Sequence, residues 1–292
     1  IVYCSAEPNS IYQSELAQAE LDKAGVAWAE YTAADSNEVQ SVVTKAVGEC
    51  DVLYVPTDNT MANYVTSETR AQSMVSSLFK SLYMQMAAAL TITGLTAYFL
   101  SQSATFWEML ATNPSSIWIL AIAQIALVVW LSARVMSMSM GMATTLFIIY
   151  SVLTGVTLSS IFMIFSIGTI ATTFFVTAGT FFAMSLIGYV TRMDLSRIGN
   201  LLYMMLIGLI IATVVNIFVA SSTLYWVITY VGVIVFVGLI AWDTQKIRNI
   251  FIEHGTADES GQKLALLGAL ILYLDFINLF IYLLRIFGGN RE

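Results

Sequence analysis

Apolar and polar positions change their period sharply along the chain. From Ile1 to about Pro56, short apolar runs (IVYCS, VAWAEYTA, DVLYVP) alternate with amphipathic stretches (NSIYQSELAQAELDKAG, SNEVQSVVTKAVGEC), an order that predicts βαβαβ. Asn9 or Ser10 is expected to open the first helix and Gly25 to close it; Ser36 or Asn37 opens the second, with Gly48 near its end. Three parallel strands with two crossover helices make half of a doubly wound domain, leaving a sheet edge and one face uncovered. No initiator Met or signal peptide precedes Ile1, so the chain is expected to begin inside a strand.

From about Ser67 long uncharged runs take over, and a membrane span needs about 20 mostly apolar residues to cross roughly 30 Å of hydrocarbon. Ser81 to Trp107 holds one span (about Leu82 to Leu100), and Met109 to Ala133 a second, from near Ile117. The 57 uncharged residues between Arg134 and Arg192 suffice for two more, with a turn at Phe165–Thr169. The 45 from Ile198 to Trp242 hold another two, turning at Ser221–Thr223, and a seventh runs from about Leu264 to Phe287. The expected organisation is an α/β fragment over 1–66, a linker over 67–81 and a seven-helix transmembrane domain over 82–292. Lys and Arg favour cytoplasmic loops. Arg70, Lys80, Arg134, Arg192, Arg197, Lys246, Arg248 and Lys263 therefore place the amino-terminal end of the bundle and its even-numbered loops in the cytoplasm. An odd number of spans then sends the carboxy terminus outside, although Arg285 and Arg291 lie there, so the last helix is expected to be tilted, short or buried among the others.

Composition agrees with the pattern: 58% apolar residues, 11% charged and a mean hydropathy of +0.78 stand well apart from the usual soluble mix of about 45–50% and 25%. The net charge of −7 is local, because residues 1–66 carry 10 acids and 2 bases while the remainder carries 9 acids and 10 bases. No basic face exists to neutralise phosphates, which excludes a nucleic-acid role. Cys4 and Cys50 form neither a metal-spacing motif nor a disulfide framework and read as buried thiols.

Chemistry centres on ions placed inside apolar runs. Asp275 lies about 11 residues into the seventh span, roughly 16 Å deep, where a carboxylate costs about 2.5–3.5 kcal/mol on insertion scales and needs protein or water around it. Asn278, Tyr282 and Arg285 follow at +3, +7 and +10 and share its stripe, so these are pore-lining candidates; the alternative is a helix–helix hydrogen-bond seam. Asp243 ends the sixth span in GLIAWDTQKIRN, either paired locally with Lys246 or Arg248 or facing Asp275 across adjacent helices. Two close carboxylates share a proton and titrate jointly, and when ionised they offer oxygen ligands to a divalent cation such as calcium. The second reading makes the pair a pH sensor and a metal-contacting site, provided the sixth helix extends to about Ile250.

Arg134 closes span two, either snorkelling to headgroups or pairing with one of the aspartates as part of a gate. Gln124 in span two is a further polar-path candidate, Asn216 is expected to bridge helices, and His254 to sit in a solvated loop. Met136, Met138, Met140 and Met142 read as flexible packing. Span seven has no Lys for a retinal Schiff base, and GxSxG and HExxH are absent, so no enzyme and no permanently bound cofactor is expected.

Two resemblances add to this. YCSAEPNSIYQ and DVLYVPTDNT are similar to the first lobe of ABC-transporter substrate-binding proteins of the tryptophan/tyrosine type, which implies that Ser5, Asn9, Ser10, Thr57 and Asn59 would lie near a ligand cleft. The second lobe that closes such a cleft is missing, so the fragment is expected to be a fusion or assembly artefact without ligand binding. From about Arg70 to Arg291, LTGVTLSSIF, GYVTRMDLSRIGN, VGLIAWDTQKIRN and LGALILYLDFINLFIYLLRIFGG resemble the YccA-like bacterial branch of the Bax inhibitor-1 family. That resemblance implies helices wrapped around a central seventh, a multi-pass inner-membrane location, and a pH-sensitive calcium leak closed by two aspartates. By motif these fall on Asp243 and Asp275. The gating arginine falls on Arg134 only approximately, and Gln124 stands where the family has an acid. The competing expectation is a non-conducting regulator that binds another membrane protein, such as a quality-control protease. An intramembrane aspartyl protease lacks its GxGD and PAL-type strings here.

Overall fold

The structure, a computed structural model, describes residues 1–35, 38–56, 59–113 and 115–289, and for 59–70 the backbone alone. It divides into two compact units, Ile1–Met74 and Val75–Glu292.

In the first unit, β1 (Val2–Cys4), α1 (Pro8–Ala24), β2 (Tyr31–Ala33) and α2 (Val39–Glu49) follow the expected order. The two strands pair in parallel, with Val2 opposite Tyr31. Pro8 starts α1, one residue ahead of the expected Asn9 and two ahead of Ser10, because its fixed φ suits the first turn. Gly25 ends it at φ 68°, a left-handed cap that only glycine adopts without strain. Ser36 and Asn37, expected to open α2, lie outside the described residues. The expected third strand is a correction. DVLYVP runs beside β1, where the Val2 N–H donates to Tyr54 O at 3.0 Å, but forms no strand among the described residues. Val2, Ala33, Val39, Val43 and Ala46 form a small core. Cys4 is buried and Cys50 partly so, the latter with Sγ 3.6 Å from the Tyr31 hydroxyl.

The helix α3 (Asn59–Ser101) is continuous through 67–81, so the expected linker is helical. After it come α4 (Ala104–Thr112), α5 (Ser115–Arg134), a 3-10 turn at Val135–Ser137, α6 (Met140–Leu158) and the single turn α7 (Ile161–Ile164). The chain then continues with α8 (Ile167–Val190), α9 (Ser196–Val219), α10 (Ser222–His254) and α11 (Glu259–Gly288). Seven of the helical segments are long and apolar enough to cross a membrane. Turns fall where the uncharged runs were divided: Ser166 caps α8 and Ser221 caps α10, each accepting a backbone N–H from three residues ahead.

At the centre stands α11. It is apolar on nearly all sides, and such a helix buries itself: 61% of its span is buried, against 6% for α5. Of the expectations for the last helix, burial among the others is realised, and at 30 residues it is not short. Small residues let its neighbours approach. A Cβ on Gly268 would meet Leu82 of α3 at 2.6 Å, and one on Gly188 of α8 would meet the backbone oxygen of Ala241 on α10 at 2.1 Å. Phe276 and Phe280 pack edge-on against Phe174 of α8. The Tyr273 hydroxyl and Thr93 Oγ1 lie 2.6 Å apart, and Thr93 donates to Ser151 O at 2.9 Å, tying α11, α3 and α6 at a dry point. A second hydroxyl chain joins Tyr83, Ser185 and Thr244 at 2.6 and 3.1 Å.

Candidate functional site

α10 extends to His254, so Asp243 lies within the helix and not at its end. The helix continues past Trp242 for three further turns, because charged residues are compatible with a helix that has left the hydrocarbon, and Asp243 is thereby well inside it. Asp243 and Asp275 are both buried, 8% and 6% exposed, and both line a cavity of about 600 Å³ between α9, α10 and α11. Their carboxyl groups lie within hydrogen-bond reach of each other. Two ionised carboxylates have no hydrogen to share, so a hydrogen bond between them requires that one carry a proton. No N–H or O–H among the described residues reaches Asp275 Oδ2, which is fully buried. The neighbouring carboxyl group is thus its available partner.

The expected local pairing of Asp243 with a base is absent. The Lys246 ammonium lies 5.0 Å from the Trp242 ring centroid and the Arg248 guanidinium 5.7 Å from that of Tyr189, and neither forms an ion pair among the described residues. Lys246 also borders the cavity, leaving one cation near the pair. Along α11 the polar stripe is realised: Asn278 and Tyr282 line the same cavity, and Arg285 rests 5.2 Å from the Tyr282 ring centroid and 5.3 Å from that of Tyr225. Tyr282 is held by Phe236, stacked at 5.8 Å, and by Gly232, where any Cβ would meet its ring at 2.7 Å.

Other expected residues lie elsewhere. Arg134 is exposed at the end of α5 and forms no ion pair among the described residues. The cause is architectural, since α5 packs on α6 and the turn that follows it. Gln124 accepts the Thr157 hydroxyl of α6 at 3.2 Å and is not on the cavity wall. Asn216 does not bridge helices; its side-chain oxygen accepts the Ser221 N–H at 3.0 Å and closes the turn between α9 and α10. His254 is the last residue of α10, exposed beside Glu253. In the first unit Ser5 and Asn9 are exposed and Ser10 is buried, whereas Thr57 and the side chain of Asn59 lie outside the described residues.

The cavity wall also contains Tyr203, Thr213 and Trp242, which the sequence reading did not select. Thr213 had a signal, a hydroxyl within an otherwise apolar span. Trp242 stands against Gly199, where a Cβ would fall 2.1 Å from the indole. Chemically, the site offers two facing carboxyl groups, an amide and phenol oxygens, with the Lys246 ammonium on the same wall. Among the described residues no three His, Cys, Asp or Glu side chains gather. Two carboxylates alone fall short of the about 6–8 oxygens of a resident calcium site.

Comparison with known proteins follows the two units. Residues 1–81 match the family of ABC transporter substrate binding proteins. The inner membrane protein YbhL of Escherichia coli strain K12 is 52% identical over 211 residues, covering 72% of this chain and 90% of YbhL. A Borreliella burgdorferi protein described as uncharacterized is 40% identical over 228 residues, covering 78% of this chain and 98% of its own length. The protein RP147 of Rickettsia prowazekii, also described as uncharacterized, is 43% identical over 212 residues, covering 72% and 89%. Residues 75–292, which carry the aspartate pair and all of the seven spans but the first residues of the first, match the family described as inhibitor of apoptosis-promoting Bax1, and the chain belongs to this Bax inhibitor-1 family of membrane proteins.

Proposed function

We propose that the protein is a pH-sensitive leak pathway for cations, calcium foremost, gated by Asp243 and Asp275. The observation that carries this reading is the buried carboxyl pair, within hydrogen-bond reach, on the wall of a cavity between three membrane helices. While one proton is shared, the pair clasps α10 to α11. Loss of that proton leaves two anions facing each other in a medium of low dielectric, where their repulsion is far stronger than in water. The clasp then favours separation, and the same oxygens become hard ligands for a divalent ion. Because the groups titrate as a unit, one protonation event switches both the contact and the ligand set. Asn278 and Tyr282 continue the polar stripe along α11 beyond the pair. Arg134, exposed at a helix end, serves in this reading as a topological anchor.

Calcium is cargo here, no resident cofactor is involved and no covalent chemistry takes place. By its likeness to YbhL, the protein is assigned to an inner membrane. The test is calcium flux into proteoliposomes in mildly acidic and mildly alkaline buffer. Wild type is expected to conduct in a pH-dependent way, and Asp243→Asn and Asp275→Asn to lose that dependence. Flux and pH response unchanged in both variants would defeat the gate. A wild type that conducts nothing yet retains a membrane-protein partner through purification would favour the regulator instead.

A further inference from the structure

The turn from α8 to α9 is clamped onto α10 by Gln245, which accepts the Leu195 N–H at 2.9 Å and donates to Met193 O at 2.8 Å. Beside this clamp lies a cavity of about 500 Å³ whose wall includes Tyr189, Thr191, Arg192, Asp194, Arg248 and Asn249. Neither arginine forms an ion pair among the described residues. Of the wall residues only Asp194 is acidic. The Ser196 N–H donates to its Oδ1 at 2.9 Å, and hydrogen bonding from Ser196 holds its carboxyl below the usual aspartate range, so it stays anionic. Two guanidinium groups against one carboxylate leave the cavity one net positive charge at a span end.

Tyr189 is also a wall of a second cavity, of about 520 Å³, between α3 and α8, where Phe79, Tyr83, Phe181, Phe182 and Leu186 surround an apolar space. Two hydroxyls on its wall are already committed, Tyr83 to Ser185 at 2.6 Å and Ser185 to Thr244 at 3.1 Å, while Ser76 and Tyr189 add hydroxyls to a wall that is otherwise aromatic and aliphatic. This second space therefore suits hydrocarbon. From Phe181 to Tyr189 α8 rises roughly 12 Å, which places the apolar cavity along the span and the basic one at its end, with a shared aromatic wall. A basic pocket between membrane helices on the side of the positively charged loops suits an anionic headgroup.

We propose that the two cavities form one phospholipid site, with an anionic phosphodiester held by Arg192 and Arg248 and one acyl chain lying in the groove between α3 and α8. The full chain in neutral detergent would be mixed with phosphatidylglycerol and phosphatidylcholine of matched acyl chains, and bound lipid read by native mass spectrometry. Preferential retention of phosphatidylglycerol is expected. Arg192→Gln and Arg248→Gln should each lower it about fivefold, lysine at both positions should restore most of it, and Arg197→Gln, off the cavity wall, should leave it unchanged. Leu186→Trp should reduce retention of both lipids without changing their ratio. Equal retention of the two lipids by wild type, or unchanged retention in the double glutamine variant, would overturn the site. Glycerol 3-phosphate raising the melting temperature as much as the diacyl lipid would overturn its acyl half.

Discussion

At the scale of single residues, protonation separates what Asp275 and Asp243 do for stability from the role the proposed gate gives them. An asparagine at 275 retains a donor for the Asp243 carboxylate without needing a proton, so Asp275→Asn should fold and keep α10 against α11 at every pH. A leucine there leaves Asp243 buried without its partner, which costs far more than losing both charges together. Asp275→Leu is therefore expected to melt earlier than Asp275→Asn in detergent; equal melting would mean that the pair is already solvated. Asp258 permits a different test. It caps α11: its Oδ1 accepts the Thr256 hydroxyl at 2.5 Å and the Ser260 N–H at 3.0 Å. Hydrogen bonding from Thr256, then from the backbone of Gly261, holds its carboxyl below the usual aspartate range. The sign follows by linkage: stabilisation by a depressed carboxyl is present above its unfolded pKa and lost as pH falls through the folded one. Asp258→Ala should thus lower the melting temperature at neutral pH, and the gap to wild type should close in acid. A gap that persists would assign the effect to packing rather than to the anion.

At the scale of helices, the limits of the apolar slab and the limits of the helices are different quantities, and the sequence shows mainly the first. Uncharged runs located every span and both internal turns, because an ion inside hydrocarbon is costly whatever it packs against. They under-reported α3 and α10, whose ends pass through Arg70, Lys80, Lys246 and Arg248 without breaking. They also missed α4, which is too short to leave a hydropathy trace. Asp243 and Asp275 were legible for the same electrostatic reason, whereas Thr93 with Tyr273, and Gly199 with Trp242, were not: hydroxyls and glycines recur throughout the chain, and only the fold brings these pairs together. Close contact between helices gives a prediction that belongs to this scale. Gly188 and Ala241 bring the backbones of α8 and α10 together, and the missing Cβ at 188 would fall 2.1 Å from a carbonyl oxygen that has no room to rotate away. Gly188→Ala should therefore destabilise the bundle by about 1–3 kcal/mol, as overpacking does. Gly208→Ala on α9 meets no atom within 4 Å and should be neutral or slightly stabilising, as alanine is in helices. Similar melting temperatures for the two variants would show that α8 and α10 are free to separate.

For the whole molecule, the two units differ in how much of their own apolar surface they cover. The membrane unit surrounds α11 and exposes its outer apolar faces to lipid, as a bundle in a bilayer should. In the first unit Tyr12, Leu16 and Val52 are 63, 52 and 82% exposed, and the segment expected to complete its sheet forms no strand among the described residues. The match to substrate binding proteins ends at residue 81, and from Ala71 the chain is a helix long and apolar enough to cross a membrane. With its apolar side chains this exposed, the first unit is expected not to close on a ligand, so the protein should show no heat of binding on titration with tryptophan or tyrosine, even at millimolar concentration. Since the aspartate pair, its cavity and the central helix all lie within 75–292, removal of residues 1–66 should leave the pH response of calcium flux as it was. Saturable binding of an aromatic amino acid would give the first unit a function of its own, and a pH response that disappears with it would make that unit part of the gate.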